Sequence, residues 1–476
     1  MRPLALLLAF SAAPLLAGDR NPFDPSEARN PATLDIRVVQ DWTEEADPPR
    51  RTKVVEITVA QWWTDRTVRI PVAYVAPPEA AQFVVLGNIG LKAPKKAPLN
   101  DQMRALLPRG VGFVMVGIGP IEAMEPAETL NDEMNQQFLS SKGDARYSPA
   151  WIWGMSYMRA LTAALTETDA FQPTKVAVSG GSKRGVASAA CGIWDDRFTA
   201  FAPVVAPPYV APSGLFAWPP DSAAVGTAND RFLSAVRDGR SSLPAEVRDN
   251  ILAFEQRNER FKLSLDDLRK AGFSDDDMRL ASQRIDALYL LSENTPAAHR
   301  PGVEWLYVNG TNDNVTPGVL ATSRRYPAWN VLLLPGGQHG SAGFGFERRT
   351  PTAPETVATV QAFFEHHFFG EPTLPAKPRL LAAQSGDQLY VAVEFPEDGP
   401  APEEGTIHWS FDRPPAGTWD YQYSQWSEAK LERVSERGWQ AYIPLKAGAH
   451  NVDVLSLHRA GEAFVSSNLR RVELGR

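Results

Sequence analysis

Apolar residues follow two textures along this chain, with the change at about residue 372. Before it, short continuous apolar runs alternate with helical patterns. The runs are Phe83-Val84-Val85-Leu86, Gly112-Phe113-Val114-Met115-Val116, Val176-Ala177-Val178, Phe201-Ala202-Pro203-Val204-Val205, Glu304-Trp305-Leu306-Tyr307-Val308 and Asn330-Val331-Leu332-Leu333-Leu334. A strand covered on both faces needs no polar alternation, so such runs predict a parallel sheet with helices on each side. Two period-two segments, 54–59 and 67–75, precede them and predict an antiparallel hairpin joined at Gln61-Trp62-Trp63-Thr64-Asp65. Helices are predicted at 99–107 and 149–168. In the second, Ile152, Met155, Met158, Leu161 and Leu165 recur at helical spacing and give one amphipathic face, better explained by core packing than by a cofactor pocket. A closing helix at 354–369 carries Val357, Val360, Phe363 and Phe364 on its apolar side.

Residues 19–51 are rich in Pro and Asp and predict an extended lead-in. An insertion is predicted at about 206–298. It begins as a Pro-rich crossing (Pro207, Pro208, Pro212, Pro219, Pro220) and continues at 229–292 as a charged helical pattern, mostly a solvated face, with Ser274 as N-cap before Asp275-Asp276-Asp277. Beyond Pro375, short alternating strands at 389–393, 406–410, 440–444 and 452–457 are separated by Gly, Pro and Asp turns. They predict a β-sandwich-like domain over 372–476, linked through 372–378 to an α/β domain over 52–371.

The length of 476 residues suits two or three domains, and 43% apolar with 22% charged residues is ordinary globular composition. A net charge of -8 without a basic stripe argues against nucleic acid as the main partner. Arg2, the run Leu4 to Phe10 and the small residues up to Leu15-Leu16-Ala17-Gly18 read as a secretory leader over 1–18, cleaved after Ala17 or Gly18. The run is too short to span a bilayer. The mature chain is therefore expected to be exported, to the periplasm or the cell exterior, with no integral membrane segment after cleavage. Cys191 is the sole cysteine, so no intrachain disulfide forms, and its small apolar neighbours favour packing over thiol chemistry.

One stretch changes the picture from architecture to chemistry. Val176-Ala177-Val178-Ser179-Gly180-Gly181-Ser182-Lys183-Arg184-Gly185 reads as strand, sharp turn and helix, with a serine at the apex. This is the nucleophile-elbow pattern G-x-S-x-G of an α/β-hydrolase fold, except that Arg184 takes the second glycine's place and Gly185 comes one later. Alone it is equally a phosphate-binding or structural turn. A serine hydroxyl needs a base, and the base needs an orienting acid, which that fold supplies in the order Ser, Asp or Glu, His. The run 305–308 ends in Asn309-Gly310-Thr311-Asn312-Asp313, and the run 331–334 ends in Pro335-Gly336-Gly337-Gln338-His339-Gly340. A loop Asp is usually a turn former and a loop His is a modest signal. Their order at successive strand ends makes Ser182, Asp313 and His339 the candidate triad.

The backbone N–H of Lys183, and that of Asn88 in the loop Gly87-Asn88-Ile89-Gly90, are the candidate oxyanion donors. The Lys183 and Arg184 side chains serve either an anionic species or the bracing of the elbow, with bracing favoured for Arg184. His366 and His367 fall in the closing helix, His299 in a Pro-rich connection, and His408, His450 and His458 in the β domain. Asp195 and Asp196 beside Arg197 read as a structural pair. Neither HExxH nor CxxC spacing occurs, so no metal and no cofactor are expected.

At Gly180-Gly181-Ser182-Lys183-Arg184-Gly185 the sequence resembles the PhoPQ-activated pathogenicity-related protein family, whose elbow reads G-A-S-K-R-G. Residues 194–198 and Pro203-Val204-Val205 resemble its Asp-Arg and Pro-Val segment, 309–313 its N-G-T-N-D, and 335–339 its P-N-x-x-H. The resemblance runs from about residue 52 into the C-terminal domain and makes Arg184 an expected variant. Asn314-Val315-Thr316 departs from the aromatic residue that follows N-G-T-N-D-E, and the Pro-Asn-Gln-Pro stretch is missing near Gly117-Ile118-Gly119-Pro120. The resemblance implies an exported α/β-hydrolase-like protein tied to bacterial envelope stress and virulence, without a settled substrate. In that fold, helices inserted at 206–298 commonly form a lid. The serine followed by a basic residue is also similar to the G-C-S-R-x-G elbow of bacterial glucuronoyl esterases.

The resulting expectation is a serine hydrolase that cleaves an ester or amide of a small molecule, peptide or glycan through an acyl-enzyme. The alternatives are a glucuronoyl-type carbohydrate esterase and a non-catalytic envelope or binding protein on a hydrolase scaffold. The sequence names no partner for the β domain.

Overall fold

A computed structural model of the chain describes residues 21–63, 66–89, 97, 99–118, 127–206, 231, 233–241, 245, 248–249, 251–253, 265–274, 277, 302–313, 330–339, 353–414 and 420–475. A nine-stranded sheet is built from β1 (Arg37–Ala46), β2 (Pro49–Trp63), β3 (Arg66–Ala76), β4 (Ala81–Asn88), β5 (Val111–Val116), β6 (Phe171–Gly181), β7 (Ala200–Val204), β8 (Glu304–Gly310) and β9 (Asn330–Leu334). Its spatial order is β1-β2-β3-β5-β4-β6-β7-β8-β9. The first three strands and the β3–β5 pair are antiparallel, and all pairings from β5 through β9 are parallel. The continuous apolar runs are these parallel strands, and β5 and β7 are buried at every position. Their carboxyl ends therefore share one edge, where the loops that follow them gather.

The described helices are α1 (Pro25–Ala28), α2 (Asp101–Leu106), α3 (Ala127–Ser140), α4 (Pro149–Ala164), α5 (Lys183–Trp194), α6 (Leu265–Lys270) and α7 (Pro354–Phe369). Met103 and Leu106 of α2 and Val360 and Phe363 of α7 cover Val85, Phe113 and Leu332 on one face of the sheet. Met155 and Met158 of α4 and Ala187 and Ile193 of α5 cover Val84, Val114 and Val178 on the other.

The expected extended lead-in is instead folded into the domain. Residues 21–46 form α1, a 3-10 turn at Pro31–Thr33, and β1, which pairs with β2. The Asp and Asn content that reads as loop is capping chemistry: Asp24 accepts from Ser26 N–H and Asn30 from Ala32 N–H, each ahead of a proline. Phe23 stacks on Trp151 at 6.2 Å. Arg159, only 1% exposed, donates to the carbonyls of Glu27 at 2.8 Å and Asn30 at 2.7 Å and to Thr33 Oγ1 at 2.9 Å. This corrects the expectation for α4 as well. The helix is buried all round from Ala150 to Ala164, Trp153 excepted, because the N-terminal segment covers the face that would otherwise meet water.

The hairpin connection is shorter than expected, since β2 continues through Trp63 and β3 begins at Arg66. The leader over 1–18, Gly90, the Pro-rich crossing at 207–220 and most of 229–292 lie outside the described residues. Within the insertion, Ser274 N–H donates to the Asp277 carboxylate at 2.8 Å and Asp277 N–H to Ser274 Oγ at 3.1 Å, the reciprocal pair of a capping box. No helix among the described residues is long and apolar enough to cross a membrane.

The C-terminal region holds two antiparallel sheets. One has the order β10 (Arg379–Ser385), β11 (Gln388–Glu394), β15 (Gly438–Pro444), β14 (Glu432–Arg433). The other has the order β13 (Ser427–Lys430), β12 (Glu404–Phe411), β16 (Asn451–Ala460), β17 (Ala463–Ser466), with β18 (Arg470–Glu473) also paired to β16. Leu389, Val391, Ile407, Ile443, Val452 and Val454 form their shared core, which makes the unit a sandwich. It packs on the main sheet's β9 edge, where Ser466 Oγ accepts from Leu333 N–H at 2.8 Å and donates to Val331 O at 3.1 Å.

Candidate active site

Ser182 sits between β6 and α5 with φ 56 and ψ -123. This lies outside the wells open to L-residues, and such a residue costs about 1–3 kcal/mol, tolerated only where its surroundings hold it. Here Ser182 N–H donates to Val204 O at 3.0 Å and Val186 N–H to Ser182 O at 3.0 Å. The unusual glycine spacing has a steric account. A β-carbon on Gly180 would stand 2.6 Å from Arg184 Cβ, so the bare Gly180 is what admits Arg184 at the position where the pattern has glycine. A β-carbon on Gly185 would collide with Ala206 Cβ and lie 2.9 Å from Gly180 O. The second close approach is thus displaced by one residue, and the glycine with it. Ser182 and Arg184 are half-buried and Lys183 is exposed, its Nζ 5.9 Å from the Trp153 ring.

Asp313 is fully buried in the turn after β8, and His339 lies in the turn after β9. His339 Nδ1 is 3.1 Å and 3.0 Å from the two carboxylate oxygens of Asp313. A carboxylate only accepts, so Nδ1 carries the proton and Nε2 is left as the basic nitrogen. Burial is the largest single influence on the ring and pushes its pKa down. The Asp313 charge and hydrogen bond together outweigh it, and the pKa stands above the usual 6.5. The two loops are laced to each other. Thr311 N–H donates to Leu334 O at 2.9 Å, Asn312 N–H to Gly337 O at 2.9 Å and Gly336 N–H to Thr311 Oγ1 at 2.8 Å. Gly310 and Gly337 pass so closely that a β-carbon on Gly310 would fall on the Gly337 carbonyl. Asp313 and His339 therefore ride on one laced pair of loops.

Asn88 closes β4 opposite Val116 of β5. Ile89 N–H is bonded to Val116 O at 3.2 Å, so the preceding N–H, that of Asn88, faces the β6 side, toward the elbow's strand. Lys183 is the first residue of α5, so its N–H points out of the amino end of that helix. A cavity of about 370 Å³ opens beside Asn88 and the end of β6, lined by Asn88, Gly180, Gly181, Phe113, Met115 and Val360.

The structure brings Asp313 and His339 into contact and sets Ser182 at the same carboxyl edge, with β7 and β8 between β6 and β9. Among the described residues no hydrogen bond joins the Ser182 hydroxyl to His339. Such contacts are often long without substrate. The competing residues lie elsewhere. His367 bonds Thr199 Oγ1 at 2.8 Å and Glu304 at 3.1 Å, at the amino ends of β7 and β8. Asp195 pairs with Arg197 at 2.6 Å, and Cys191 is buried against Gly154 O. No cluster of three or more His, Cys, Asp or Glu fit to hold a metal occurs among the described residues.

Two further residues take part. Asn312 is 3% exposed and donates to Ser424 O at 2.8 Å, while Arg413 donates to Asn312 Oδ1 at 3.0 Å across 101 residues of sequence. The second Asn of Asn309-Gly310-Thr311-Asn312-Asp313 was the available hint for the first. For Arg413 there was none.

Parallel strands in the order β5-β4-β6-β7-β8-β9, an antiparallel β2–β3 lead, helices on both faces, and Ser, Asp and His turns after β6, β8 and β9 together define an α/β-hydrolase fold. No protein-family model matches the sequence, and no curated protein matches it. Similar solved structures include Porphyromonas gingivalis dipeptidyl peptidase 4, at 11% identity and TM-score 0.33 over 62% of this chain and 33% of that one. The acylaminoacyl peptidase of Pyrococcus horikoshii has 11% identity and TM-score 0.35 over 69% of this chain and 48% of that one. The glucuronoyl esterase of Solibacter usitatus has 14% identity and TM-score 0.37 over 68% of this chain and 88% of that one. The chain thus spans a third of the first and about half of the second. At these values the fold assignment rests on the strand order of this chain.

Proposed function

We propose that this chain is an exported serine hydrolase that cleaves an ester or amide, with Ser182 as nucleophile, His339 as base and Asp313 as its orienting acid. The observation that carries the reading is the buried Asp313 carboxylate held 3.0 Å from His339 Nδ1 at the strand ends that follow the elbow. In the reaction, His339 Nε2 takes the Ser182 proton as Oγ attacks the carbonyl carbon. The oxyanion is met by the N–H groups of Lys183 and Asn88. His339 then gives its proton to the leaving group, and water, activated by the same nitrogen, releases the acyl group from Ser182. Asp313 stabilises the imidazolium that exists between the two transfers.

Within this class we favour a protein of the PhoPQ-activated pathogenicity-related type, on the resemblance of 180–185, 309–313 and 335–339 and on the leader at 1–18 that directs export. The substrate is a small-molecule, peptide or glycan ester or amide. The basic residue after Ser182 keeps a glucuronate ester among the substrates to test.

A fluorophosphonate probe tests the reading: it labels the wild type and leaves Ser182→Ala unlabelled. One observation favours the second reading, a non-catalytic protein on a hydrolase scaffold: among the described residues no hydrogen bond joins the Ser182 hydroxyl to His339. A well-folded wild type that the probe does not touch decides for the scaffold. Comparison of p-nitrophenyl esters, aminopeptide substrates and glucuronate esters then selects the bond cleaved.

A further inference from the structure

The sandwich reaches the candidate site through one side chain. Arg413 follows β12, and its guanidinium is completely buried. Nη2 donates to Thr311 O at 2.8 Å and to Asn312 Oδ1 at 3.0 Å, and Nη1 to Asp453 Oδ2 at 3.2 Å. Its guanidinium carbon lies 3.9 Å from the centre of the Tyr421 ring and 4.6 Å from that of Trp426. Trp426 Nε1 donates to the same Asn312 oxygen at 2.9 Å, and Asn312 Nδ2 donates to Ser424 O at 2.8 Å. The histidine loop is touched as well, since Gln338 Nε2 donates to Gln422 O at 3.2 Å. Asp453 lies on β16, in the middle of its sheet, and is buried and gripped by a second guanidinium, Arg471, at 2.7 Å and 3.0 Å.

A buried guanidinium with a carboxylate partner is no bargain over apolar packing, so its retention calls for another account. The distribution of its donors supplies one. One arm is fixed to the sandwich, and the other holds the two residues immediately before Asp313. We propose that the C-terminal sandwich is a working part of the candidate active site, with Arg413 the positioning residue that sets Thr311 and Asn312 and, through them, the Asp313 carboxylate against His339. Its consequence for catalysis rests on the triad reading. Its consequence for the Asp313–His339 pair does not.

The alternative is that Arg413 only glues two domains, in which case its loss lowers stability and leaves the pair unchanged. Full-length wild type, Arg413→Ala, Arg413→Lys and Trp426→Phe separate the two. Trp426→Phe keeps the ring over Arg413 and deletes only the donor to Asn312. Ile443→Val, a change in the sandwich core away from the loops, controls for general loosening. Each is read by the NMR titration of the His339 ring and by its fluorophosphonate labelling rate. In Arg413→Ala the His339 midpoint falls and labelling slows about 10- to 100-fold, by analogy with the loss of a hydrogen-bonded partner that orients a metal-ligating side chain. Arg413→Lys recovers part of both, Trp426→Phe moves both in the same direction by less, and Ile443→Val moves neither.

A folded Arg413→Ala with the wild-type midpoint and labelling rate overturns the proposal. If Arg413→Ala does not fold, an unchanged Trp426→Phe overturns it and a lowered midpoint supports it. A wild type that the probe does not label, combined with a midpoint that falls in Arg413→Ala, refutes the hydrolase reading and leaves the positioning role standing.

Discussion

Replacing Asp313 with asparagine keeps the side chain's size and deletes its charge. The carboxylate lies 3.0 Å from His339 Nδ1 in a site with no exposure at the acid. At an effective dielectric of about 20, opposite unit charges at that distance attract by about 5.5 kcal/mol. With about 1.4 kcal/mol per tenfold in rate, loss of that attraction in the transition state slows the step that charges the ring by about 10⁴-fold. Two pH effects of opposite sense accompany the loss. Burial, the largest influence on His339, is then unopposed, so the midpoint falls from above 6.5 to below it and the acid limb of the activity profile moves to lower pH. For stability, a histidine with a raised folded pKa contributes below the unfolded value and loses that contribution as pH rises through the folded one. The stability deficit of Asp313→Asn is therefore largest near about pH 6 and shrinks toward about pH 9. Probe-labelling rates across this range, with urea denaturation at both ends, measure both. A near-wild-type labelling rate with an unmoved acid limb would refute the reasoning.

Gly310→Ala forces a β-carbon onto the Gly337 carbonyl, backbone against backbone with no rotamer to escape. It costs about 3 kcal/mol by denaturation and abolishes labelling, whereas Gly386→Ala, with nothing within 4 Å, costs only the about 1–2 kcal/mol of its left-handed backbone. Ser182→Gly relieves the strained backbone and raises stability by about 1 kcal/mol while ending labelling; an unchanged or lower melting temperature counts against strain at the elbow. His458 is buried in the sandwich with its pKa pushed down to about 3 by burial. The unfolded chain takes up that proton below about 6.5 while the folded one does not, so stability falls by about 2 kcal/mol between neutrality and about pH 5, and His458→Phe removes that part of the acid sensitivity.

What could be read from the sequence was whatever leaves a local trace. The parallel strands are legible because burial on both faces makes uninterrupted apolar runs, and the Ser182, Asp313 and His339 turns because each run ends in glycine-rich punctuation. β1 left no such trace. All ten of its positions are exposed or half-exposed, so its Pro- and Asp-rich surroundings carry only the signature of an extended lead-in. The all-round burial of α4 was likewise hidden, because the segment that covers it, held by Arg159, lies more than a hundred residues earlier. The exchange of β4 and β5 in the sheet is a matter of crossover topology and has no residue signature. Arg413 is the extreme case: its partners Thr311, Asn312 and Asp453 are distant on either side, and only three-dimensional proximity gives it a role.

An open sheet presents two edges, each a template for unwanted pairing, and this chain closes them by different means. At the β1 edge, Val38 and Val39 are 55% and 54% exposed, and register shifts between Val38 and Thr43 bend the strand away from regular pairing. The β9 edge is apolar and buried from Val331 to Leu334, so neither charge nor a bulge protects it. The sandwich covers it, with the Ser466 hydroxyl standing in for a neighbouring strand by bonding Leu333 N–H and Val331 O. β9 is also the strand that delivers His339. The unit that closes this edge thus grips the strand that leads to His339 and, through Arg413, the loop that carries Asp313. At the elbow, Gly180 and Gly185 pack closely within the hydrolase core. β6, β8 and β9 belong to one sheet, so Ser182 and the Asp313–His339 pair share that frame, and the sandwich adds a second hold on the side of the pair.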